Sequence, residues 1–253
     1  MQFSRLLVVP AAGLGSRLGA RVPKLLVPVA GVPMIDRILD LYRDHVSRVV
    51  IVVNPAASAD VRRHVGARRN GVTIDCVEQA EPTGMLDAIL LASAVVLQSA
   101  PASVWITWCD QVAVHGSTIE QLSMRTIHAS HPAIVMPTVV REHPYIHFER
   151  DAASRIARVL HRREGDEMPQ SGESDMGLFA LSPLAFNELL PQYAREVEVG
   201  GATGERNFLP FIPWVARAHD VVTFPCTNVM EAVGVNTPEE LRMVEMYLAE
   251  RSA

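Results

Sequence analysis

The sequence predicts an α/β fold of three layers, with helices on both faces of a mostly parallel, mixed sheet. Short runs rich in Val, Ile and Leu alternate with longer stretches of helical period along most of the chain. The repeated strand–helix–strand order requires crossover connections, which lay successive strands parallel. The 253 residues are 49% hydrophobic and 20% charged, enough for one large core and too apolar for a disordered chain.

Residues 5–11, Arg-Leu-Leu-Val-Val-Pro-Ala, read as a buried strand and run into a glycine-rich loop lasting to about Pro33. Residues 34–46 set Ile35, Ile38, Leu39, Leu41 and Tyr42 at helical spacing. Residues 48–54 form a second strand, closed by Asn54-Pro55. A short helix near 59–65, a strand at 72–77 and a helix at 84–97 follow. Residues 104–109 form another buried strand, then come a helix at about 118–128 and a strand at 133–137. The polar stretch 141–175 breaks the alternation. It carries six Arg, three His and the turn-like Arg163-Glu-Gly-Asp166 and Pro169-Gln-Ser-Gly172, and is expected to be a flap or insertion beside the sheet. A strand at 176–181, helices after Pro183 and Gly204, a strand at 221–224 and a C-terminal helix from Pro238 complete the reading. With no repeat, low-complexity tract or linker, residues 1–253 are expected to form a single domain.

Composition narrows the function. A net charge of −5 and 6% aromatic residues argue against nucleic acid and anionic membranes as partners. Cys76, Cys109 and Cys226 are odd in number and form no C-x-x-C, so neither disulfides nor a zinc site is expected. The apolar run 6–12 lacks a charged leader and is broken by Pro10. The run 85–97 is too short to span a bilayer and contains Asp87. A cytoplasmic protein is expected. Lys24 is the one lysine among 23 basic residues. In a chain that otherwise writes Arg for every cation, it marks a position suited to a compact ammonium.

Pro10-Ala-Ala-Gly-Leu-Gly-Ser-Arg-Leu-Gly19 closes the first strand, where a glycine-rich turn lets backbone N–H groups approach a phosphate. Gly13, Gly15 and Gly19 miss the dinucleotide spacing by one place, and the second strand closes on Asn54 rather than an acid. An NAD-dependent oxidoreductase is therefore disfavoured, and the P-loop pattern is absent. Arg17 and Lys24 stand in the loop instead. Asp110 follows a buried strand, so its carboxylate projects at the sheet's carboxyl edge. Asn236, before Thr-Pro, reads equally well as a turn or helix-entry residue. Trp105 and Trp108 are read as packing residues, and His143, His147 and His161 as solvated.

The segment PAAGLGSRLGARVPKLLVPVAGVPMIDRIL resembles the signature loop of the sugar-phosphate nucleotidyltransferases, G-x-G-x-R followed by Pro-Lys. It is similar in particular to the uridylyltransferase domain of bacterial N-acetylglucosamine-1-phosphate uridylyltransferases, within the MobA-like NTP transferase fold. Further matches follow in order at Glu78-Gln-Ala-Glu-Pro-Thr-Gly84, Trp108-Cys-Asp110, Met176-Gly-Leu-Phe179 and Glu231-Ala-Val-Gly-Val-Asn236. The resemblance implies a Rossmann-like, nucleotide-diphospho-sugar transferase type of fold. It also implies Mg²⁺-dependent transfer of a nucleoside monophosphate from a triphosphate to a small phosphorylated acceptor, a sugar 1-phosphate foremost. Ala11, Ala12 and Gly13 would hold the base and ribose side. Gly15, Arg17 and Lys24 would meet the triphosphate, and Gln79 and Gly84 a pyrimidine base (UTP, CTP or dTTP). Asp110 and Asn236 would hold the magnesium ion, with Arg17, Lys24 and Asp110 the catalytic set.

The pattern departs from the family on the acceptor side. Gly84 is followed by Met85 where relatives carry Thr, and Cys109 replaces the Gly before the metal-binding Asp. Pro144-Tyr-Ile-His-Phe148 replaces a Gly-Tyr-Gly-Arg segment that lines the hexose pocket. The family's sugar-binding acid falls near Leu160, and its following Asn is Asp175 here. Acceptor-binding candidates are therefore Asp175, Arg206 and Arg155, with Arg162 and Arg163 beside them, because guanidinium forks suit phosphate. A solvated basic face is the alternative for any one arginine. The acceptor stays open among a sugar phosphate, a non-sugar phosphate or phosphonate, and a molybdopterin-type pterin; a catalytically silent nucleotide-sensing domain is a further alternative. No hexapeptide repeat is visible, so no fused acyltransferase is expected. The oligomeric state is open.

Overall fold

A computed structural model describes residues 4–13, 15–19, 22–127 and 131–252. The first strand, β1 (Arg5–Ala11), lies at the centre. The loop after it holds two 3₁₀ turns, Ser16–Leu18 and Lys24–Leu26, and a small hairpin of β2 (Pro28–Val29) and β3 (Val32–Pro33). Then come α1 (Met34–Tyr42), β4 (Arg48–Val53), α2 (Pro55–Val65), β5 (Arg68–Arg69) and β6 (Val72–Glu78). Asn54 caps α2, its side-chain oxygen accepting from Ala57 N at 2.9 Å. The stretch expected as one helix at 84–97 is two, α3 (Met85–Leu90) and α4 (Ser93–Ser99). Ser93 Oγ donates to the Leu90 carbonyl at 2.6 Å, and the helical ladder breaks beside it.

β7 (Ser103–Thr107) and α5 (Gly116–Arg125) follow; the expected end of that helix at His128 lies outside the described residues. β8 (Ile134–Glu142) is longer than the sequence suggested. β9 (Ile146–Arg150) and β10 (Ile156–His161) form a separate two-stranded hairpin. β11 (Ser171–Asp175) pairs antiparallel with the second half of β8, so the end of the polar stretch is an edge strand of the main sheet rather than a flap beside it. Its sequence, Ser-Gly-Glu-Ser-Asp, has no apolar alternation to announce a strand. β12 (Leu178–Leu181), a π-helical turn at Ala185–Leu189, α6 (Leu190–Glu196), α7 (Phe211–Ala216), β13 (Val221–Pro225) and α8 (Pro238–Ser252) complete the order.

The main sheet has nine strands in the order β11-β8-β12-β7-β1-β4-β6-β5, with β13 paired to β8. β7, β1, β4 and β6 run parallel. Alternation along each strand sorts side chains to the two faces. Leu7 and Val9 of β1 join a core with α1, α2, α5 and α8, while Leu6 and Val8 join the opposite core with α3, α4, α6 and α7. This is the Rossmann-like three-layer arrangement expected. The hairpin β9–β10 buries Ile146, Phe148, Ile156 and Leu160, the first three in the second core. Among the described residues, no helix is long and apolar enough to cross a membrane.

Candidate active site

β1 is flanked by β4 on one side and β7 on the other, and its neighbours' helices lie on opposite faces. Such a switch point leaves a crevice at the carboxyl ends of the strands. The segments leaving β1 and β7 there carry the glycine-rich turn and Asp110. A cavity of about 760 Å³ opens at this edge. Its walls include Ala11, Ala12, Gly13, Gly15 and Arg17 from the first loop. Lys24, Gln79, Gly84, Asp110 and Asn236 face the same space. The structure thus brings every residue expected on the nucleotide and metal side to one cavity.

Local geometry explains several of these placements. Gly15 is left-handed (φ +61°), and a Cβ there would lie 2.9 Å from Lys24 Cβ. The turn can therefore fold over the lysine only with glycine at this position. Gly84 has φ +121°, and a Cβ would meet the backbone N and O of Arg206 at 2.5 Å. Arg206 N donates to Thr83 O at 2.8 Å, and Leu86 N to Arg206 O at 3.1 Å, so two segments far apart in sequence are zipped together there. Gln79 is buried, and its Nε2 donates to Gly84 O at 3.2 Å. Asn54 Nδ2 reaches Ala12 O at 3.3 Å, tying the loop to the second strand.

Lys24 Nζ donates to Asp110 Oδ2 and to Asn236 Oδ1, both at 2.7 Å. Burial acts to lower the lysine pKa, but Cys109, Asp110 and the hydrogen bond to Asp110 outweigh it, and the net direction is upward. Burial pushes the neighbouring Cys109 thiol up to about 12, so it is no nucleophile at neutral pH. Asn236 is set by the start of α8. Glu240 Oε2 accepts from Asn236 N and Thr237 N at 2.8 and 2.9 Å, and Thr237 Oγ1 accepts from Glu240 N at 3.2 Å, a capping box. The Asp110–Asn236 pair fits a hard divalent cation. Both supply oxygen, and a positive nitrogen already lies between them. Among the described residues, no three His, Cys, Asp or Glu converge on a metal position, so water and phosphate oxygens would complete such a shell.

A second cavity of about 590 Å³ meets the first at Asp110 and Asn236. Asp175 lines it, at the end of β11, with Oδ2 accepting from Gly177 N at 2.8 Å. Burial raises the Asp175 pKa against the hydrogen bonds from Gly177 and the Trp108 indole. The other two expected acceptor residues are not brought here. Arg206 turns its guanidinium to Asp87 and, at 2.7 Å, to the Ala194 carbonyl. Arg155 pairs with Asp151 at 2.9 Å on the exposed turn between β9 and β10. The arginines that line the second cavity are instead Arg141, Arg162 and Arg163, beside His143, His161 and Tyr145. His161 is half-buried rather than solvated, and burial lowers its pKa. His147 Nδ1 donates to Glu173 O at 3.1 Å, and the ring packs over Gly172. Trp108 packs on Phe179 and Phe208 as expected, yet also lines both cavities. Arg141 was only one of six arginines in the polar stretch, and its place in the second cavity follows from the β8 strand that pairs with β11.

A cleft over the carboxyl edge of a parallel sheet, floored by a glycine-rich turn, places the chain among the nucleotide-binding α/β proteins. Within that class it belongs to the MobA-like NTP transferase domain family, whose model matches residues 7–174. It is 28% identical over 249 residues to the bifunctional protein GlmU of Cupriavidus metallidurans, covering 94% of this chain and 51% of that protein. The GlmU of Thermus thermophilus is likewise 28% identical over 249 residues, covering 96% and 52%. The chain thus spans about half the length of the curated relatives it matches. A crystal structure of a Bacillus anthracis protein, assigned as a glucose-1-phosphate thymidylyltransferase and bound to a sucrose, superposes with a TM-score of 0.73. The identity there is 14%, over 96% of this chain and 95% of the other, and the likeness is one of fold. The family resemblance seen in the motifs is borne out.

Proposed function

We propose that the protein is a Mg²⁺-dependent nucleotidyltransferase that joins a nucleoside monophosphate, from UTP, CTP or dTTP, to a small phosphorylated acceptor. The observation that carries this is the position of Lys24. Its ammonium stands between Asp110 and Asn236 where the two cavities meet, the point at which triphosphate and acceptor would be joined.

A phosphomonoester oxygen of the acceptor attacks the α-phosphorus in line, one P–O bond forms, and the bond to pyrophosphate breaks. That oxygen is already anionic near neutral pH, so no side-chain base is needed. The chain's work is to align two polyanions and neutralise their charge. Arg17, Lys24 and the backbone around Gly13 and Gly15 hold the triphosphate, while Gln79 and the turn at Gly84 orient a pyrimidine. Asp110 and Asn236 would hold magnesium, which supplies charge neutralisation to phosphate oxygens when bound. A sugar 1-phosphate is the first reading of the acceptor, supported by the GlmU relatives. The match to the MobA-like family supports a second, a pterin or other non-sugar phosphate or phosphonate.

Thermal unfolding with UTP, CTP, dTTP, ATP and GTP, each with and without Mg²⁺, tests the donor side. A ligand at about 100 times its dissociation constant adds about 2.7 kcal/mol to stability. The expected result is a Mg²⁺-strengthened shift with one pyrimidine triphosphate, lost in Asp110→Ala. Pyrophosphate release with a panel of sugar phosphates, phosphonates and pterin phosphates then identifies the acceptor. A shift with a triphosphate but no pyrophosphate release from any acceptor would move the silent nucleotide-sensing reading ahead, and no shift with any triphosphate would overturn both.

A further inference from the structure

Outside the cleft, the described residues contain a buried carboxylate with a full set of partners. Glu231 is 3% exposed. Its Oε2 accepts from the backbone N of His115 at 2.8 Å and from Thr118 Oγ1 at 2.6 Å. Its Oε1 accepts from Cys226 Sγ at 3.2 Å and lies 3.3 Å from the His115 Nδ1. The His115 ring stacks on Tyr247 of α8, and Asn228 Nδ2 donates to the same tyrosine hydroxyl at 2.6 Å.

The partners come from two stretches of chain. One runs from Asp110 to the start of α5. The other leaves β13 at Cys226 and reaches Asn236. Inside the carboxylate's grip the two stretches touch again, with Val235 N donating to Asp110 O at 3.2 Å. A Cβ on Gly234 would stand 3.1 Å from Asp110 Cγ and 3.2 Å from Asn236 Nδ2. The spacing of the two oxygen ligands is therefore set by how closely these stretches are held. A single neutral backbone hydrogen bond at 3.2 Å holds less firmly than a desolvated carboxylate with three donors.

We infer that Glu231 is a positioning residue for the Asp110–Asn236 pair, clamping the two loops so that their oxygens present one divalent-cation site. The inference rests on the metal reading proposed above, and Mn²⁺ serves as a paramagnetic probe for it. Bound Mn²⁺ is counted by electron paramagnetic resonance in the presence of UTP, CTP or dTTP, for wild type, Asp110→Ala, Glu231→Gln and Glu231→Ala. Wild type is expected to bind the ion and Asp110→Ala to lose it. If neither holds, the metal reading fails and takes the clamp with it.

With that reading standing, Glu231→Ala is expected to weaken Mn²⁺ binding about tenfold, the order seen when supporting contacts of metal ligands are removed. Glu231→Gln keeps an oxygen for the His115 N–H and the Thr118 hydroxyl, and is expected to stay within about threefold of wild type. Metal-free triphosphate binding, followed by thermal shift, is expected to be unmoved in both, which a general loss of structure would not allow. A folded Glu231→Ala that binds Mn²⁺ as wild type does overturns the inference. Should Glu231→Ala fail to fold, Thr118→Val removes one donor at constant size. Weaker Mn²⁺ binding in that variant supports the clamp, and unaltered binding overturns it.

Discussion

The Lys24 ammonium lies 2.7 Å from the Asp110 carboxylate, bridging 86 positions of sequence at the mouth of the cleft. The side chains at the two ends are 11% and 13% exposed, dry enough for the pair to be strong and open enough for a ligand to part it. On the proposed reading, a divalent cation would draw the Asp110 carboxylate and the triphosphate would draw the Lys24 ammonium, so the pair would part as both ligands bind.

Lys24→Ala is expected to lower turnover about 100-fold or more, the scale of removing a group that meets developing charge. Lys24→Arg is expected to rescue little, because a planar fork cannot replace a compact ammonium beneath the Gly15 turn. Steady-state pyrophosphate release measures both, with circular dichroism to show that the fold is kept.

Gly84→Ala is expected to destabilise the protein by about 1–3 kcal/mol, since a side chain at φ +121° strains the backbone and strikes that of Arg206. Urea denaturation checks the loss. The KM for the triphosphate is expected to rise as well, because the Gly84 carbonyl holds Gln79.

Arg206→Ala is expected to lower stability by about 1–2 kcal/mol, less than for a fully buried pair because its side chain is one-third exposed. Its partner is Asp87, the one charge within the apolar run of α3. Combining Asp87→Ala with Arg206→Ala is expected to cost less than the two separately. Acceptor KM is expected to stay unchanged in Arg206→Ala and to rise in Arg141→Ala.

Asp175 makes the protein's stability fall with rising pH. Burial lifts its pKa above the ordinary 3.8, so the folded chain binds the proton more tightly than the unfolded one. Its contribution is fully present below 3.8 and is lost as pH rises through the folded value, because burial disfavours the charged form. Asp175→Asn is therefore expected to raise the unfolding midpoint at about pH 7 and to match wild type near about pH 3.5. A uniform gain at both pH values would contradict this account.

The nucleotide side of the site was legible because its residues sit in continuous segments closing buried strands. The run from Arg5 to Lys24 announces a strand, a tight turn and two cations in one short stretch. Asp110 is read the same way from the apolar strand before it. The acceptor side was not legible, because its residues face the cleft only through pairings between distant segments. Arg155 and Arg206 looked like phosphate ligands by type alone, yet each had a nearer carboxylate to satisfy. His161 read as solvated, and Arg141 was not singled out, until β11 joined the sheet and the hairpin folded beside the second cavity.

The sequence by itself determined the layered α/β order, the parallel centre of the sheet, the glycine-rich turn that closes its first strand and the family. These follow from local periodicity and from steric rules that act within a few residues of each glycine and proline. Only the tertiary structure decided that Lys24 rests between Asp110 and Asn236, that Glu231 is hydrogen-bonded to both of their loops, and which arginines line the second cavity. Those outcomes turn on which buried charge finds which partner, and burial is a property of the packed chain rather than of any segment of it.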